Sequence, residues 1–154
     1  MTPKTKPMLD NESQIRELID ELLSAESAKD VERSAAPYVK DVVSYDLIDP
    51  LQYKGVGTIK ERLNEWFSSF EGPLSIEFQN LEITAGDDVA FCNGLHHVNG
   101  TKKDGAKLEM YWRTTLCFQK IEDQWTITHS HDSVPFDMKT GKASMNLKPE
   151  ILSC

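Results

Sequence analysis

No stretch of this sequence approaches the ~18 uninterrupted apolar residues that a membrane-spanning helix requires, so a membrane is not expected as a partner. The first residues, Met1-Thr2-Pro3-Lys4-Thr5-Lys6-Pro7, carry lysines with no apolar run behind them, and no secretory signal is expected. Cysteine is scarce: Cys92, Cys117 and Cys154 are the three present, and they lie far apart. That pattern suits free thiols in a reducing compartment better than a disulfide framework, and a cytoplasmic protein is expected. Cys92 and Cys117 read as small buried residues within strands. Basic residues are also short, 17 Lys plus Arg against 25 Asp plus Glu, for a net charge of −8. A general nucleic-acid binder needs clustered Lys and Arg, so nucleic acid is not an expected partner. A glycine-rich phosphate loop, a serine nucleophile elbow and a Cys-x-x-Cys pair are all missing. Covalent catalysis is therefore unsupported, and acid–base or recognition chemistry remains.

What is present divides into a helical first half and a strand-rich second half. Residues 1–11 hold prolines and no periodicity and read as a loose arm. Asn11 with Gln14 suggests a capping pair, and Ile15, Leu18, Ile19, Leu22 and Leu23 then recur at helical spacing. Asp30 is placed to cap a second, shorter helix over about Val31 to Val39, with Pro37 against its later turns. Val42 to Leu47 is rich in strand formers and is closed by Asp49-Pro50. Gly55-Val56-Gly57 reads as a turn. Thr58 with Glu61 suggests a capping box ahead of a third helix, whose Ile59, Leu63, Trp66, Phe67 and Phe70 share a face. Gly72-Pro73 stops it.

Beyond residue 73 the period changes from 3.6 to 2. Leu74–Thr84, Val89–Asn99, Lys107–Gln119 and Gln124–His131 read as four long strands joined by short turns, hence antiparallel hairpins. Residues 136–154 read as an irregular tail packed on the body. Three helices followed by a meander is an α+β layout. A curved sheet wrapped around those helices leaves a conical, open-ended cavity suited to a small-molecule ligand.

All four histidines, His96, His97, His129 and His131, fall on two of these strands. Unbroken alternation puts His129 and His131 on the face of Trp125 and Ile127, which predicts an apolar floor leading to a reactive mouth. His-x-His on a strand is also a metal-ligand spacing, but Asp46, Glu109 and His97 have no motif-level spacing to it, and no metal is expected. On the neighbouring strand Leu108, Met110, Trp112, Leu116 and Phe118 form an apolar face. Glu109, Tyr111, Arg113, Thr115 and Cys117 form a more polar one. A three-residue turn sets Arg113 across from His131, where it would anchor an anionic or carbonyl group, held by Asp46 or Glu109. Asp46, at the rim of an apolar cavity, suits a general base. Tyr45 is its neighbour and must face the other way. Trp66 is placed to line the wall.

Arg113-Thr114-Thr115, Lys120, and Trp125-Thr126-Ile127-Thr128-His129-Ser130-His131-Asp132-Ser133-Val134-Pro135 resemble the pattern of the SnoaL-like group within the nuclear transport factor 2 (NTF2) and ketosteroid isomerase superfamily. Asp46, Pro50, Gly55 and Trp66 also resemble it, and the likeness spans about residues 12–135. It implies a cone-shaped NTF2-like (cystatin-like) fold with three N-terminal helices packed in a curved, mostly antiparallel sheet. It also implies a homodimer and a cofactor-independent acid–base enzyme of isomerase, cyclase, dehydratase or hydrolase type on a carbonyl-containing apolar compound. The expected catalytic residues are Asp46, His131 and His129. The expected substrate contacts are Arg113, Trp66, Tyr111 and His97. The same scaffold also serves as a non-catalytic ligand-binding or oligomerisation module, and that alternative stands beside the first.

Overall fold

The computed structural model of the chain describes residues 9–149. Most of the expected arm, the far end of the tail and Cys154 lie outside the described residues. Helix α1 runs Asn11–Ser27, α2 Val31–Ala35 and α3 Val56–Ser68. The strands are β1 Tyr38–Tyr45, β2 Tyr53–Lys54, β3 Phe70–Ala85, β4 Val89–Lys102, β5 Lys107–Ile121 and β6 Gln124–Ser133. Helices on one face of a single mostly antiparallel sheet make the expected α+β, cystatin-like architecture.

Helix starts differ in detail from the expected caps. Asp10, one residue earlier than Asn11, caps α1 by accepting from Ser13 N at 2.8 Å. Asn11 instead donates to Gly86 O and accepts from Lys120 Nζ, tying the helix start to the β3–β4 turn and to the end of β5. Asp30 caps α2 as expected, through Arg33 N at 3.1 Å. Helix α3 begins two residues before Thr58, behind Gly55 at φ 87°, without a side-chain cap. Thr58 sits in its first turn and donates back to Lys54 O. A hydroxyl already inside the helix can satisfy a carbonyl behind it but cannot cap the free N–H groups ahead.

The sheet order is β2-β1-β6-β5-β4-β3. β3 to β6 form the expected meander, while β1 returns to lie parallel to β6 and antiparallel to β2. One buried cluster joins Ile15, Ile19 and Leu22 of α1 to Cys92, Leu116, Phe118, Trp125 and Ile127. Fully burying an aliphatic side chain such as Ile15 or Ile19 contributes about 1.5–3 kcal/mol. A second cluster gathers Phe67, Phe70, Leu74, Ile76, Val98 and Met110 around the end of α3. Gly100 makes that packing possible, because a Cβ there would lie 2.7 Å from a ring carbon of Phe70.

The strands β5 and β6 alternate as expected with one interruption. Phe118 pairs with Ile127, but the next inter-strand pair is Cys117 with His129, so Thr128 is an extra residue on β6. This β-bulge resets the alternation: Trp125, Ile127 and then Ser130 are buried, and His131 is exposed.

Candidate functional site

Between the two apolar clusters lies a cavity of about 150 Å³. Leu22 and Leu116 of the first cluster and Val98 and Met110 of the second form part of its wall, with Trp66 and Trp112 beside them. The two indoles meet edge to face at 6.1 Å. Such a volume is the scale of a single six-membered ring. Three carboxyl groups look into this apolar space: Glu26 of α1, Asp46 just past β1, and Asp132 of β6. Tyr38, Arg62, His96, Thr114, Ser44 and Ser130 complete the polar lining.

The polar groups form two connected sets. In the first, Arg62 Nε lies 3.1 Å from Asp46 Oδ2, with both side chains 20% exposed. The other oxygen of Asp46 accepts from Leu47 N at 2.6 Å. In the second, Thr114 Oγ1 donates to Asp132 Oδ1 at 2.6 Å and stands 2.6 Å from His96 Nδ1. The ring of His96 lies between Phe78, at 4.0 Å, and Trp112, at 5.0 Å. Its Nε2 is buried without a partner among the described residues. Beside these sets Ser44 Oγ and Ser130 Oγ meet at 2.7 Å and bind β1 to β6.

Burial sets the proton affinities here. Loss of water pushes the Glu26 carboxyl up to about 8, and the nearby charge of Asp132 adds to the effect. Asp132 is pushed up to about 7 by the same cause; the Thr114 hydroxyl pulls it back and Asp46 pushes it further. The Tyr38 phenol is raised by burial and by Glu26, Asp132 and Asp46. His96 falls to about 3, because its cation is unfavourable away from water. At neutral pH the cavity thus combines a neutral imidazole with two carboxyls poised to exchange protons.

The expected site residues separate into two groups. Asp46 and Trp66 line the cavity. His129, His131, Arg113, Tyr111 and His97 do not line it, which corrects the expected inward facing of the histidine pair and the guanidinium. The cause is the bulge at Thr128, which turns His129 and His131 to the other face and leaves Ser130 and Asp132 inside. His129 Nδ1 donates to Val43 O at 2.6 Å. Tyr45 packs edge-on to both imidazoles, at 4.6 and 5.3 Å. Arg113 pairs across the sheet with Ser133, not His131, and its Nε donates to Ser133 Oγ at 3.1 Å, so neither Asp46 nor Glu109 holds it. His97 stacks on Tyr111 at 4.2 Å and bridges Glu77 and Glu109 on the outer face. Among the described residues no group of three or more His, Cys, Asp or Glu is placed to hold a metal ion.

A second, more open hollow adjoins the cavity. Asp46, Leu47 and Asp132 border both, and His131, Tyr45 and Leu51 stand around the outer one. His131 is therefore a vestibule residue.

The residues that sequence reading missed are Glu26, Tyr38, Arg62, Thr114 and Asp132, together with the inward role of His96. Two of them left a trace. Glu26 continues the stripe Ile15, Ile19, Leu22 by a further helical step, an acid where an apolar residue belongs. His96 shares strand parity with Cys92 and Val98, both fully buried.

The model of the SnoaL-like domain matches residues 15–137. The chain belongs to the SnoaL-like family. Among solved structures, an NTF2-like protein of unknown function from Pseudomonas putida KT2440 is 33% identical, covers 90% of this chain and 96% of its own, and superposes with a TM-score of 0.81. An NTF2-like superfamily protein from Salmonella enterica is 16% identical over 86% of this chain and 96% of its own, with a TM-score of 0.72. A Streptomyces avermitilis protein of the NTF2-like family, provisionally named a dehydratase, is 13% identical over 79% of this chain and 94% of its own, with a TM-score of 0.69. No curated protein matches the chain. Within this SnoaL-like domain no helix among the described residues is long and apolar enough to cross a membrane.

Proposed function

We propose that this SnoaL-like protein is an acid–base enzyme acting on a compact, apolar, carbonyl-bearing ring compound. The observation that carries the reading is a ring-sized apolar cavity into which Glu26, Asp46 and Asp132 all open. Asp132 is the proposed base. Its affinity for a proton is near neutral, which favours transfer from a carbon acid beside a carbonyl at ordinary pH. Glu26, protonated at neutral pH, is the proposed acid that donates to the carbonyl oxygen as charge develops there. Arg62 Nε pairs with Asp46 Oδ2 and orients that carboxyl beside the cavity. Trp66 and Trp112 give the ring its flat walls. Asp46 keeps its expected place in the site, but the proposed proton transfers fall to Asp132 and Glu26 rather than to Asp46, His131 and His129, the expected catalytic residues. Homodimerisation through the outer sheet face, where Phe91 is 47% exposed, belongs to the same reading and is checked by sedimentation.

The test follows proton exchange at carbon. Cyclohexane-1,3-dione and cyclohex-2-enone are incubated with the protein in deuterium oxide, and label uptake is read by NMR. Faster uptake with the wild type, lost by about 100-fold or more in Asp132→Asn, is the expected result. If both rings bind and neither exchanges faster than in buffer, the protein is a non-catalytic binding module.

A further inference from the structure

The Thr114 hydroxyl has a single hydrogen, which it gives to Asp132 Oδ1. Toward His96, 2.6 Å away, its oxygen can therefore only accept. That fixes the tautomer of His96: the hydrogen is on Nδ1, and Nε2 carries a lone pair. Both faces of the ring are covered, by Phe78 and Trp112, and Nδ1 is occupied. His96 is 8% exposed and borders the cavity, so its Nε2 side is the part left to meet a ligand. A buried acceptor without a partner is costly, and a ligand O–H placed there would relieve that cost.

We propose that His96, Thr114 and Asp132 form a proton relay that opens on the cavity at His96 Nε2. The proposal rests on the acid–base reading above and gives Asp132 a second route to a proton: in place of a C–H it meets directly, an enol or phenol-like O–H that the ligand presents to His96. The step balances. The ligand O–H bond breaks as Nε2–H forms, Nδ1–H passes to Thr114 Oγ1, and the original Thr114 hydrogen passes to Asp132 Oδ1. His96 and Thr114 end neutral, Asp132 ends protonated, and one negative charge has moved from Asp132 to the ligand. No imidazolium forms at any stage. This matters because burial makes His96 too weak a base to hold a second proton. A shift of tautomer is open to it where a gain of charge is not.

The coupling is testable without a substrate. Long-range ¹H–¹⁵N NMR of the whole chain reports which ring nitrogen carries the hydrogen. The groups that share the cavity and titrate or carry charge there are Glu26 of α1, Tyr38 and Asp46 of the β1 region, Arg62 of α3 and Asp132 of β6. The expected result is an Nδ1–H tautomer at pH 9 that converts to Nε2–H as Asp132 takes its proton. Thr114→Val is expected to abolish the conversion and Thr114→Ser to restore it. Added phenol is expected to move the Nε2 resonance at pH 9 and to bind about tenfold more tightly than toluene. One fixed tautomer across the range, a conversion that survives Thr114→Val, or equal binding of phenol and toluene overturns the relay. If Thr114→Val does not fold, the wild-type titration and the phenol–toluene comparison decide. A fixed tautomer beside Asp132-dependent exchange of the diketone removes the relay alone. A coupled tautomer with no exchange removes the enzymatic reading alone.

Discussion

Ile127 and His129 are two residues apart on one strand, yet they face opposite sides of the sheet. Ile127 is fully buried against α1, and His129 sits under the ring of Tyr45 on the other side. Regular strand geometry forbids this, and the extra residue at Thr128 supplies the half-turn.

That geometry makes a direct prediction. Replacing His129 and His131 together with alanine is expected to leave phenol affinity within about twofold of wild type, since neither imidazole reaches the inner chamber. Asp132→Asn in the same titration is expected to shift affinity several-fold, by reversing what the Thr114 hydroxyl meets. Equal losses in the two variants would place the histidines inside.

Stability should fall as pH rises through the neutral range. Glu26 and Asp132 have folded-state values of about 8 and 7, well above their ordinary 4.5 and 3.8. Between those limits the native state binds more protons than the unfolded chain, so the stabilisation is complete below pH about 4 and is lost as pH climbs toward about 8. Urea midpoints at pH 5 and pH 8.5 test this. Glu26→Gln should flatten the difference, raising stability at pH 8.5 by more than about 1 kcal/mol relative to its effect at pH 5.

Gly100→Ala should be costly. The added methyl would meet two ring carbons of Phe70, at 2.7 and 2.8 Å, and a methyl of Leu74 at 2.9 Å, all in the packed cluster beneath α3. Overpacking of this kind costs about 1–3 kcal/mol, read as a lower urea midpoint with an unchanged slope. A neutral result would mean that the Phe70 ring, which carries Lys102 Nζ 3.9 Å above it, swings aside freely.

The Arg62–Asp46 pair is largely screened from water, so it should count for more than a surface ion pair. Arg62→Met keeps the aliphatic stem and leaves Asp46 facing Asp132 with its partner gone. A loss of about 1–2 kcal/mol is expected, partly recovered when Asp46→Asn is added. A loss below about 0.3 kcal/mol would class the pair with exposed ones.

Much of the architecture was legible because it rests on periodicity. The stripe from Ile15 to Leu23 and the turns at Gly86, Gly105 and Glu122 each state their element locally. The change of period, expected after Pro73, comes earlier: α3 ends at Ser68, and β3 starts at Phe70 and carries Gly72-Pro73 within it. The parallel return of β1 beside β6 was not legible, since it depends on strands 86 residues apart meeting at Ser44 and Ser130. The site was read less well for the same physical reason. A bulge leaves no compositional mark: Thr126-Ile127-Thr128-His129 looks like unbroken alternation, and one inserted residue exchanges His129 and His131 for Ser130 and Asp132. Asp46 and Trp66 were found because the register shift of β1 lies between Tyr38 and Val43, ahead of Asp46, and because Trp66 sits on an unbroken helix.

The side-by-side placement of β1 and β6 has a bearing on the order in which the chain folds. The acids of the chamber come from residues 26, 46 and 132, so α1, the end of β1 and β6 must all be docked before its lining is complete. Ser44 and Ser130 meet across 86 residues of chain, and closing so long a loop costs more entropy than forming the β3–β4 and β4–β5 hairpins. The hairpins therefore precede the chamber, and proton chemistry arrives with the last long-range pairing rather than with the first collapse.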